Sequence, residues 1–494
     1  MAVIGSGVAG ALTAFRLASV GLKVTLLEAG PRIARQEAVR RFRYPDLASP
    51  YPAGFQHVDL GPDPFHGVSL RMVGGTTWHW LGTALRLHPV DFRMKSLHGV
   101  GVDWPLSYAD LEPDYTEAER LLGVSGDSLE SAGSPRSGPY PMPPLPVTYL
   151  ERCLPRRYKI QVLPAARNSA VYDGRPACCG AATCVPICPV GAKYDATVHL
   201  EKAERLGVRL LDEHPVLRLE VEGGRVARLH HRHGALQARV FLVACHAIQT
   251  PRLLLASGIS HDAVGRHLMG GTGQVSWALA PEPVYPFRSP QVVSGILQFR
   301  EGDFRRHRAA FVTSIGNDGW PGHSPPEQAR RLIERGLTGQ ALRDTLRDHV
   351  SRQLLLVSNC EELPEPANRV TLADRRDEDG VPLPAVRYRV GDYTRRGLDE
   401  AVLVHARLFD AIGATAVNHV EESADPAHIA GTCRMGDDPG TSVVDRDLRC
   451  HDLPNLFVVG SAAFPTAGAA PPTLTIAALA LRASRAIQEQ LSRS

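Results

Sequence analysis

An α/β fold is predicted, with a Rossmann-like parallel-sheet domain split by an antiparallel-sheet domain and by a cysteine-cluster insertion. Three features of the sequence predict it. The run Gly5-Ser6-Gly7-Val8-Ala9-Gly10 lies between an apolar strand and a helical pattern. From about Gly265 to Glu422 strands alternate with Gly/Pro turns. From Asn455 to the C-terminus apolar strand-then-helix character returns.

The bulk properties agree with a large folded chain. At roughly 100–200 residues per domain, 494 residues suggest about three domains. The chain has 55 basic and 52 acidic residues, for a net charge of +3, with 22% charged and 44% hydrophobic positions. That balance excludes disorder, a collagen-like repeat and a charge-driven nucleic-acid binder. Only five of the basic residues are Lys, a bias of the kind a GC-rich genome imposes. No apolar run approaches the ~18 residues of a membrane span. No charged n-region precedes an apolar h-region, so no secretory signal is expected. Met1-Ala2-Val3-Ile4 runs directly into the glycine turn, so the first strand reads as clipped and the true start is expected upstream.

In order along the chain, Val3-Ile4 ends a strand, Ala11 to Val20 is helical in pattern, and Lys23 to Leu27 is a second strand ending at Glu28. Gly133 to Pro146 is proline-dense and cannot be helix or central strand, because proline lacks the N–H donor; it reads as an extended strap. Val198 to Leu206 is a helix stopped by Gly207. Arg209-Leu210-Leu211 and Val216 to Val221 are strands. Arg239 to Ala244 is a short apolar run of the buried parallel kind. Thr250-Pro251 is expected to start a helix, with Pro in its first turn. Asp379-Gly380 marks a hairpin between Val370-Thr371-Leu372 and Val386 to Val390. Glu327 to Val350 reads as one Arg-rich helical stretch whose charges form a solvated face. Leu456 to Val459 is a strand, and Pro472 to Leu491 a helix.

In Gly5-x-Gly7-x-x-Gly10, the first glycine makes the tight turn, the second lets backbone approach a pyrophosphate, and the third lets helix and strand pack closely. The helix N-terminus adds free N–H groups and partial positive charge. Glu28, about 18 positions after Gly10, can accept from a ribose diol. Strand, turn, helix and acid together predict a dinucleotide site. A second Gly-rich turn, Arg71 to Trp80 with Gly74-Gly75-Thr76-Thr77, and a third, Asn455 to Pro465, point to FAD over NAD. A long flavin dinucleotide needs contacts from distant segments, and a simple NAD domain does not.

These motifs, with Ala247-Ile248-Gln249-Thr250-Pro251-Arg252-Leu253-Leu254, His428-Ile429-Ala430-Gly431-Thr432 and Pro472-Thr473-Leu474-Thr475-Ile476-Ala477-Ala478-Leu479, resemble the glucose–methanol–choline (GMC) oxidoreductase family over essentially the whole chain. The resemblance implies an FAD-binding domain in three parts, 1–100, 190–264 and 425–494, the last carrying the catalytic histidine. It implies an antiparallel-sheet substrate-binding domain at 265–424. Residues 101–189 would be an insertion with the proline strap and an iron–sulfur segment. By the same resemblance Val216 would meet the adenine, and Gly460, Ser461 and Thr473 would line the flavin side. No covalent attachment motif stands out.

Nine cysteines are too sparse for a disulfide scaffold, yet four fall between Cys178 and Cys188. In Cys178-Cys179-x4-Cys184-x3-Cys188-Pro189 the spaced residues Cys178, Cys184 and Cys188 suit an iron–sulfur cluster, since thiolates are soft ligands. Adjacent Cys179 is not expected to reach the same cluster, since neighbouring side chains tend to point apart. Zinc, with Cys179 or His199 as fourth ligand, and inert or disulfide-bonded thiols are the alternatives. Within the family this segment, with Val73 to Trp80, Asp103-Trp104-Pro105 and Glu201 to Arg205, resembles the large subunit of bacterial FAD-dependent glucose dehydrogenase. That resemblance implies a 3Fe-4S cluster, a cytochrome c electron acceptor and a small accessory subunit that supports export. The sequence leaves the location open between the cytoplasm and a periplasmic or membrane-associated place reached through a partner subunit.

Alcohol oxidation needs a base for the O–H proton and an acceptor for the hydride. His428, in Asp425-Pro426-Ala427-His428-Ile429-Ala430-Gly431-Thr432, matches the family's catalytic histidine, and a neutral imidazole suits that role. Trp78, His79 and Trp80 read as packing beside the cofactor, and Cys433 and Cys450 as buried thiols. Two departures stand out. The family's second polar residue is here Pro471, and Leu268-Met269-Gly270-Gly271-Thr272 lacks the usual Asp-His-Pro. The expected activity is dehydrogenation of a sugar or polyol hydroxyl. The alternatives are a flavin alcohol oxidase or dehydrogenase with a structural or zinc cysteine site, and a catalytically silent FAD/iron–sulfur relay subunit.

Overall fold

Five short parallel strands form one sheet, in the order Leu456–Val458, Phe241–Val243, Ala2–Ile4, Thr25–Leu27, Arg209–Leu211. These strands belong to a computed structural model that describes residues 1–43, 51–52, 54–67, 69–155, 157–321, 324–422 and 427–493. Strands Leu456–Val458, Phe241–Val243 and Ala2–Ile4 are apolar and buried at every position, as covering on both faces requires. Helix Val8–Ser19 packs beside the C-terminal helix Thr473–Arg493 and helix Thr197–Arg205, and Tyr108–Leu122 packs on the C-terminal helix. Register brings the carboxyl ends of the strands to one edge, where Gly5, Glu28, Ala244 and Val459 follow directly. Ligands of open α/β sheets gather at such an edge.

A six-stranded antiparallel sheet supplies the second domain, in the order Thr415–Glu422, Gly273–Leu279, Gln353–Cys360, Phe311–Gly316, Val292–Ile296, Ile160–Val162. Helix Asp392–Ala411 covers one face. There His405 Nε2 meets Ser358 Oγ at 2.8 Å and its Nδ1 meets Ser276 Oγ at 2.7 Å. The other face turns toward the dinucleotide domain. This helix was legible in principle, since buried Leu398, Ala401, His405 and Leu408 recur at helical spacing. The run Asp392-Tyr393-Thr394-Arg395-Arg396-Gly397 disguises its start. Gly397 is needed there because a Cβ would stand 2.6 Å from the Ala309 Cβ.

The expected hairpin is present. Strands Arg369–Arg376 and Pro382–Arg387 pair antiparallel, with Val370 opposite Val386. Asp377 Oδ1 accepts from the N–H groups of Asp379 and Val381, and Gly380 has φ 75°. Val58–Asp59 joins in parallel at the outer side of Pro382–Arg387. Val216–Glu222, Arg225–His231 and Gly234–Gln237 form a separate antiparallel meander. No helix or strand occurs over 134–148, as the prolines require.

Two sequence expectations are corrected. The helix expected to start at Thr250-Pro251 starts four residues earlier, at His246, and Pro251 lies inside it. Pro251 cannot donate to the Ala247 carbonyl, which instead accepts from Thr432 Oγ1 at 2.6 Å. The single Arg-rich helix is two helices, Pro325–Glu334 and Gly339–Ser351. Gly336, at φ 85°, ends the first, and the second buries no residue, so its charges are solvated. Asp425, Pro426 and the 424/425 boundary lie outside the described residues.

Candidate active site

The carboxyl edge of the parallel sheet opens on a cavity of about 530 Å³, bounded on the far side by the antiparallel sheet. The three glycines meet different surroundings. Gly5 has φ 99°, and a Cβ there would overlap the Ala244 carbonyl oxygen. A Cβ on Gly10 would overlap the Gly5 carbonyl and stand 3.3 Å from Val3 Cγ1, so this glycine sets the helix–strand approach. Gly7 has no atom within 4 Å of its would-be Cβ, and it caps helix Val8–Ser19 without a side-chain bond. An open backbone face beside an uncapped helix N-terminus suits a diphosphate.

Glu28 lines the cavity and accepts from Ser6 N at 3.0 Å, Ser6 Oγ at 2.6 Å and Gly30 N at 3.0 Å. Three of about four acceptor positions are thus filled, leaving one for a ribose hydroxyl. Burial pushes this carboxyl up, and the Ser6 and Gly30 bonds oppose the shift. The second glycine turn meets the first: a Cβ on Gly75 would lie 3.3 Å from Gly7 Cα. Thr76 and Thr77 line the cavity, and Thr77 Oγ1 donates to the Gly74 carbonyl at 2.6 Å while accepting from Ala196 N. Gly74, behind the wall, donates to Ser6 Oγ at 3.0 Å. Val216, Gly460, Ser461 and Thr473 all line the same cavity.

Gln249 also lines it, unforeseen from the sequence. It is 8% exposed, its Oε1 accepts from Arg252 Nη1 at 3.0 Å, and its buried Nε2 has no partner among the described residues. An orphaned donor, an open glycine face and an uncapped helix together fit a dinucleotide such as FAD.

His428 enters from the opposite wall. Its N–H donates to the Gly270 carbonyl at 2.9 Å, and Met269 and Ala430 exchange both backbone bonds. A Cβ on Gly271 would stand 2.5 Å from the His428 Cβ. The segment that lacks Asp-His-Pro is therefore a floor for His428. Glu362, another residue no motif flags, holds that floor by accepting from Gly270 N at 2.8 Å, Thr272 N at 3.0 Å and Thr272 Oγ1 at 2.7 Å. Burial pushes the His428 imidazole down to about 4, so it is neutral near pH 7. The imidazoles of His79 and His246, in the same cavity, are pushed to about 4 as well, burial being the main cause. Pro471 lies in the wall, where the family pattern expects a polar side chain.

Cys184 and Cys188 are buried, Cys178 is half-buried and Cys179 is exposed. Among the described residues no three His, Cys, Asp or Glu side chains group to hold a metal ion. The thiols nonetheless receive backbone donors, from Gly180 N to Cys178 Sγ and from Lys193 N to Cys188 Sγ, each at 3.5 Å. In His199, the imidazole of the zinc alternative, Nδ1 meets Tyr194 OH at 3.0 Å and the buried Nε2 has no partner among the described residues. Lys193 is fully buried and joins the two regions. Its Nζ donates to the carbonyls of Trp78 and Trp80 at 2.7 Å and of Cys184 at 2.9 Å. Val185, next to Cys184, borders the cavity itself.

Two family models described as GMC oxidoreductase match residues 158–270 and 364–480, and a model described as an NAD(P)-binding Rossmann-like domain matches 3–72. The fructose dehydrogenase large subunit of Gluconobacter japonicus is 36% identical, over 99% of this chain and 97% of its own length. The chain belongs to the GMC oxidoreductase family. It is an FAD-dependent oxidoreductase acting on alcohol groups. Other GMC-type relatives are paromamine 6'-oxidase of Streptomyces fradiae, 33% identical over 99% of this chain and 91% of its own, and the gluconate 2-dehydrogenase flavoprotein of Pantoea cypripedii, 25% identical over 99% and 93%. The crystal structure of pyridoxine 4-oxidase from Mesorbium loti shares the fold, with TM-score 0.63 at 20% identity over 99% of both chains. Among the described residues of this GMC oxidoreductase, no helix is long and apolar enough to cross a membrane.

Proposed function

We propose that this GMC oxidoreductase is a dehydrogenase that oxidises a hydroxyl of a sugar or polyol to a carbonyl, with His428 as the base. One observation carries the reading: His428 opens on the same cavity as the Gly5–Gly10 turn, Gly75 to Thr77, Gly460, Ser461 and Thr473. Bound FAD supplies the acceptor for the hydride that leaves carbon. His428 takes the hydroxyl proton on an imidazole nitrogen, which burial keeps free of a proton of its own. Gly5, Gly7 and the start of helix Val8–Ser19 cradle the diphosphate, Glu28 holds the ribose, and Val216 borders the adenine. The relatives named for fructose and gluconate support a sugar-like substrate.

For the cysteine segment we propose that Cys178, Cys184 and Cys188 hold a 3Fe-4S cluster, an outlet toward a one-electron acceptor such as a cytochrome, with a small accessory subunit. Three soft thiolates and the N–H groups aimed at two of the sulfurs support this. So do Val185, which lines the cavity, and Lys193, whose Nζ donates to the carbonyl of cavity-lining Trp80. An anaerobic screen of aldoses, ketoses and polyols tests the activity: at least one should bleach the flavin, and His428→Ala should slow bleaching about a hundredfold or more with FAD retained. Unchanged bleaching in that variant removes His428 from the reaction. Iron and acid-labile sulfide analysis of purified protein tests the cluster.

A further inference from the structure

We propose that Asn359 supplies the hydrogen bond to the reacting hydroxyl that Pro471 lacks, so that the antiparallel sheet contributes directly to chemistry. The inference rests on His428 being the proton acceptor.

Strand Gln353–Cys360 decides where Asn359 points. Side chains alternate along a strand. Ser358 bonds His405 on the helix-covered face, so Val357 and Asn359 turn the other way, and Asn359 lines the cavity. Ser314, opposite Val357 in the register, lines the cavity on the same face. The neighbours of Asn359 are committed: Ser358 Oγ also meets Thr313 Oγ1 at 2.7 Å, and Cys360 N donates to the Thr272 carbonyl at 3.0 Å. Among the described residues the Asn359 carboxamide has no hydrogen-bond partner, though it carries two donors and an acceptor.

A short stretch of chain links Asn359 to His428. Gly271 touches His428, and Gly273 is the register partner of Asn359. Two residues of extended chain span roughly 7 Å. A hydroxyl-bearing carbon can therefore lie between the two side chains. Glu362 fixes this short stretch from behind and accepts from Tyr388 OH at 2.6 Å, so the spacing is rigid. His246 fits the role less well. It begins the helix beside the dinucleotide turn, and its Nδ1 accepts from Ile248 N at 3.4 Å.

The chemistry is balanced within the hydroxyl. As the O–H proton moves to His428 and the C–H electrons leave as hydride, the oxygen passes through an alkoxide-like state before the C=O bond forms. An N–H of the Asn359 amide donating to that oxygen stabilises the charge as it develops. A proline side chain at position 471 can offer nothing comparable.

The test compares Asn359→Leu and Asn359→Asp with the parent holoenzyme. FAD content and melting temperature come first, then the limiting rate of anaerobic flavin bleaching and the apparent Kd for the best substrate of a D-fructose, D-glucose and D-sorbitol panel. The leucine variant should keep its FAD and melt normally, while its limiting rate falls about a hundredfold. Its Kd should change far less. The aspartate variant should be slower still near pH 8, because a carboxylate opposes negative charge on the oxygen; a merely structural position would not sense that sign. Parent-like bleaching in Asn359→Leu, or faster bleaching in Asn359→Asp, overturns the inference. If no panel member bleaches the parent, the dehydrogenase reading fails for this substrate class, and this inference with it.

Discussion

Thr432 Oγ1 donates to the Ala247 carbonyl at 2.6 Å, at the one turn of helix His246–Ala256 where Pro251 cannot. The bond ties a wall of the dinucleotide cavity to the segment that carries His428, four residues upstream of Thr432. Thr432→Val keeps the shape but leaves a buried carbonyl without a donor. It should destabilise the protein by about 1–3 kcal/mol, read as a lowered denaturant midpoint. A midpoint equal to the parent's would show that the helix repairs itself.

Gly7 has φ −64°, which any residue adopts, and open space at its Cβ. Gly7→Val should therefore fold, melt like parent apoprotein, and fail to bind FAD. Gly10→Val should instead fail to fold, because its side chain would overlap the Gly5 carbonyl. FAD fluorescence titration and circular dichroism separate the two outcomes. Full flavin content in Gly7→Val would mean the diphosphate lies elsewhere.

Six imidazoles are held neutral mainly by burial: His79, His246, His267 and His428 are pushed down to about 4, and His199 and His405 to about 3. Each titrates near 6.5 when unfolded. Between that value and the folded one the unfolded chain binds more protons, so stability falls as pH falls. Urea midpoints should be flat above pH 7 and decline from about pH 6.5 downward, before carboxylates titrate. A flat profile from pH 7 to 5 would contradict the burial of these rings.

Cys184→Ser replaces a soft thiolate by a poor iron ligand. Purified variant should lose iron and labile sulfide but keep FAD, and substrate should still bleach the flavin anaerobically. Reduction of cytochrome c should collapse, while small dyes that reach the flavin directly are affected less. Normal cytochrome reduction in protein shown to lack iron would reduce the cysteines to a structural brace.

What was legible in the sequence is what is decided locally. The Gly5–Gly10 turn, Glu28 and the hairpin at Asp379-Gly380 each depend on residues within one or two elements, and their spacing states their geometry. Pro251 misleads because the donor that lets a proline sit inside its helix lies 185 residues from Ala247. Gln249 sits inside a family motif that does not state its role, and Glu362 and Asn359 belong to none; only tertiary pairing shows that the first has an orphaned donor, the second caps the His428 floor and the third faces the cavity. The cysteines were conspicuous by spacing, but Lys193, which links them to the cavity wall, reads as an ordinary lysine.

Lys193 also imposes an order on the birth of the molecule. The Trp80 carbonyl takes its donor from a residue 113 positions later in the chain, and the Trp78 carbonyl from one 115 positions later. Because the ribosome makes the chain from the N-terminus, the turn at Trp78 to Trp80 lacks that donor until Lys193 has been translated, after every one of the clustered cysteines. The residues of the glycine turn are made within the first thirty, but strand Ala2–Ile4 pairs with Phe241–Val243 and Gly5 backs onto Ala244, so the supports of the cradle come later still. A ribosome that stalls before Lys193 leaves a nascent chain with the nucleotide cradle begun and this part of the cavity wall unfinished.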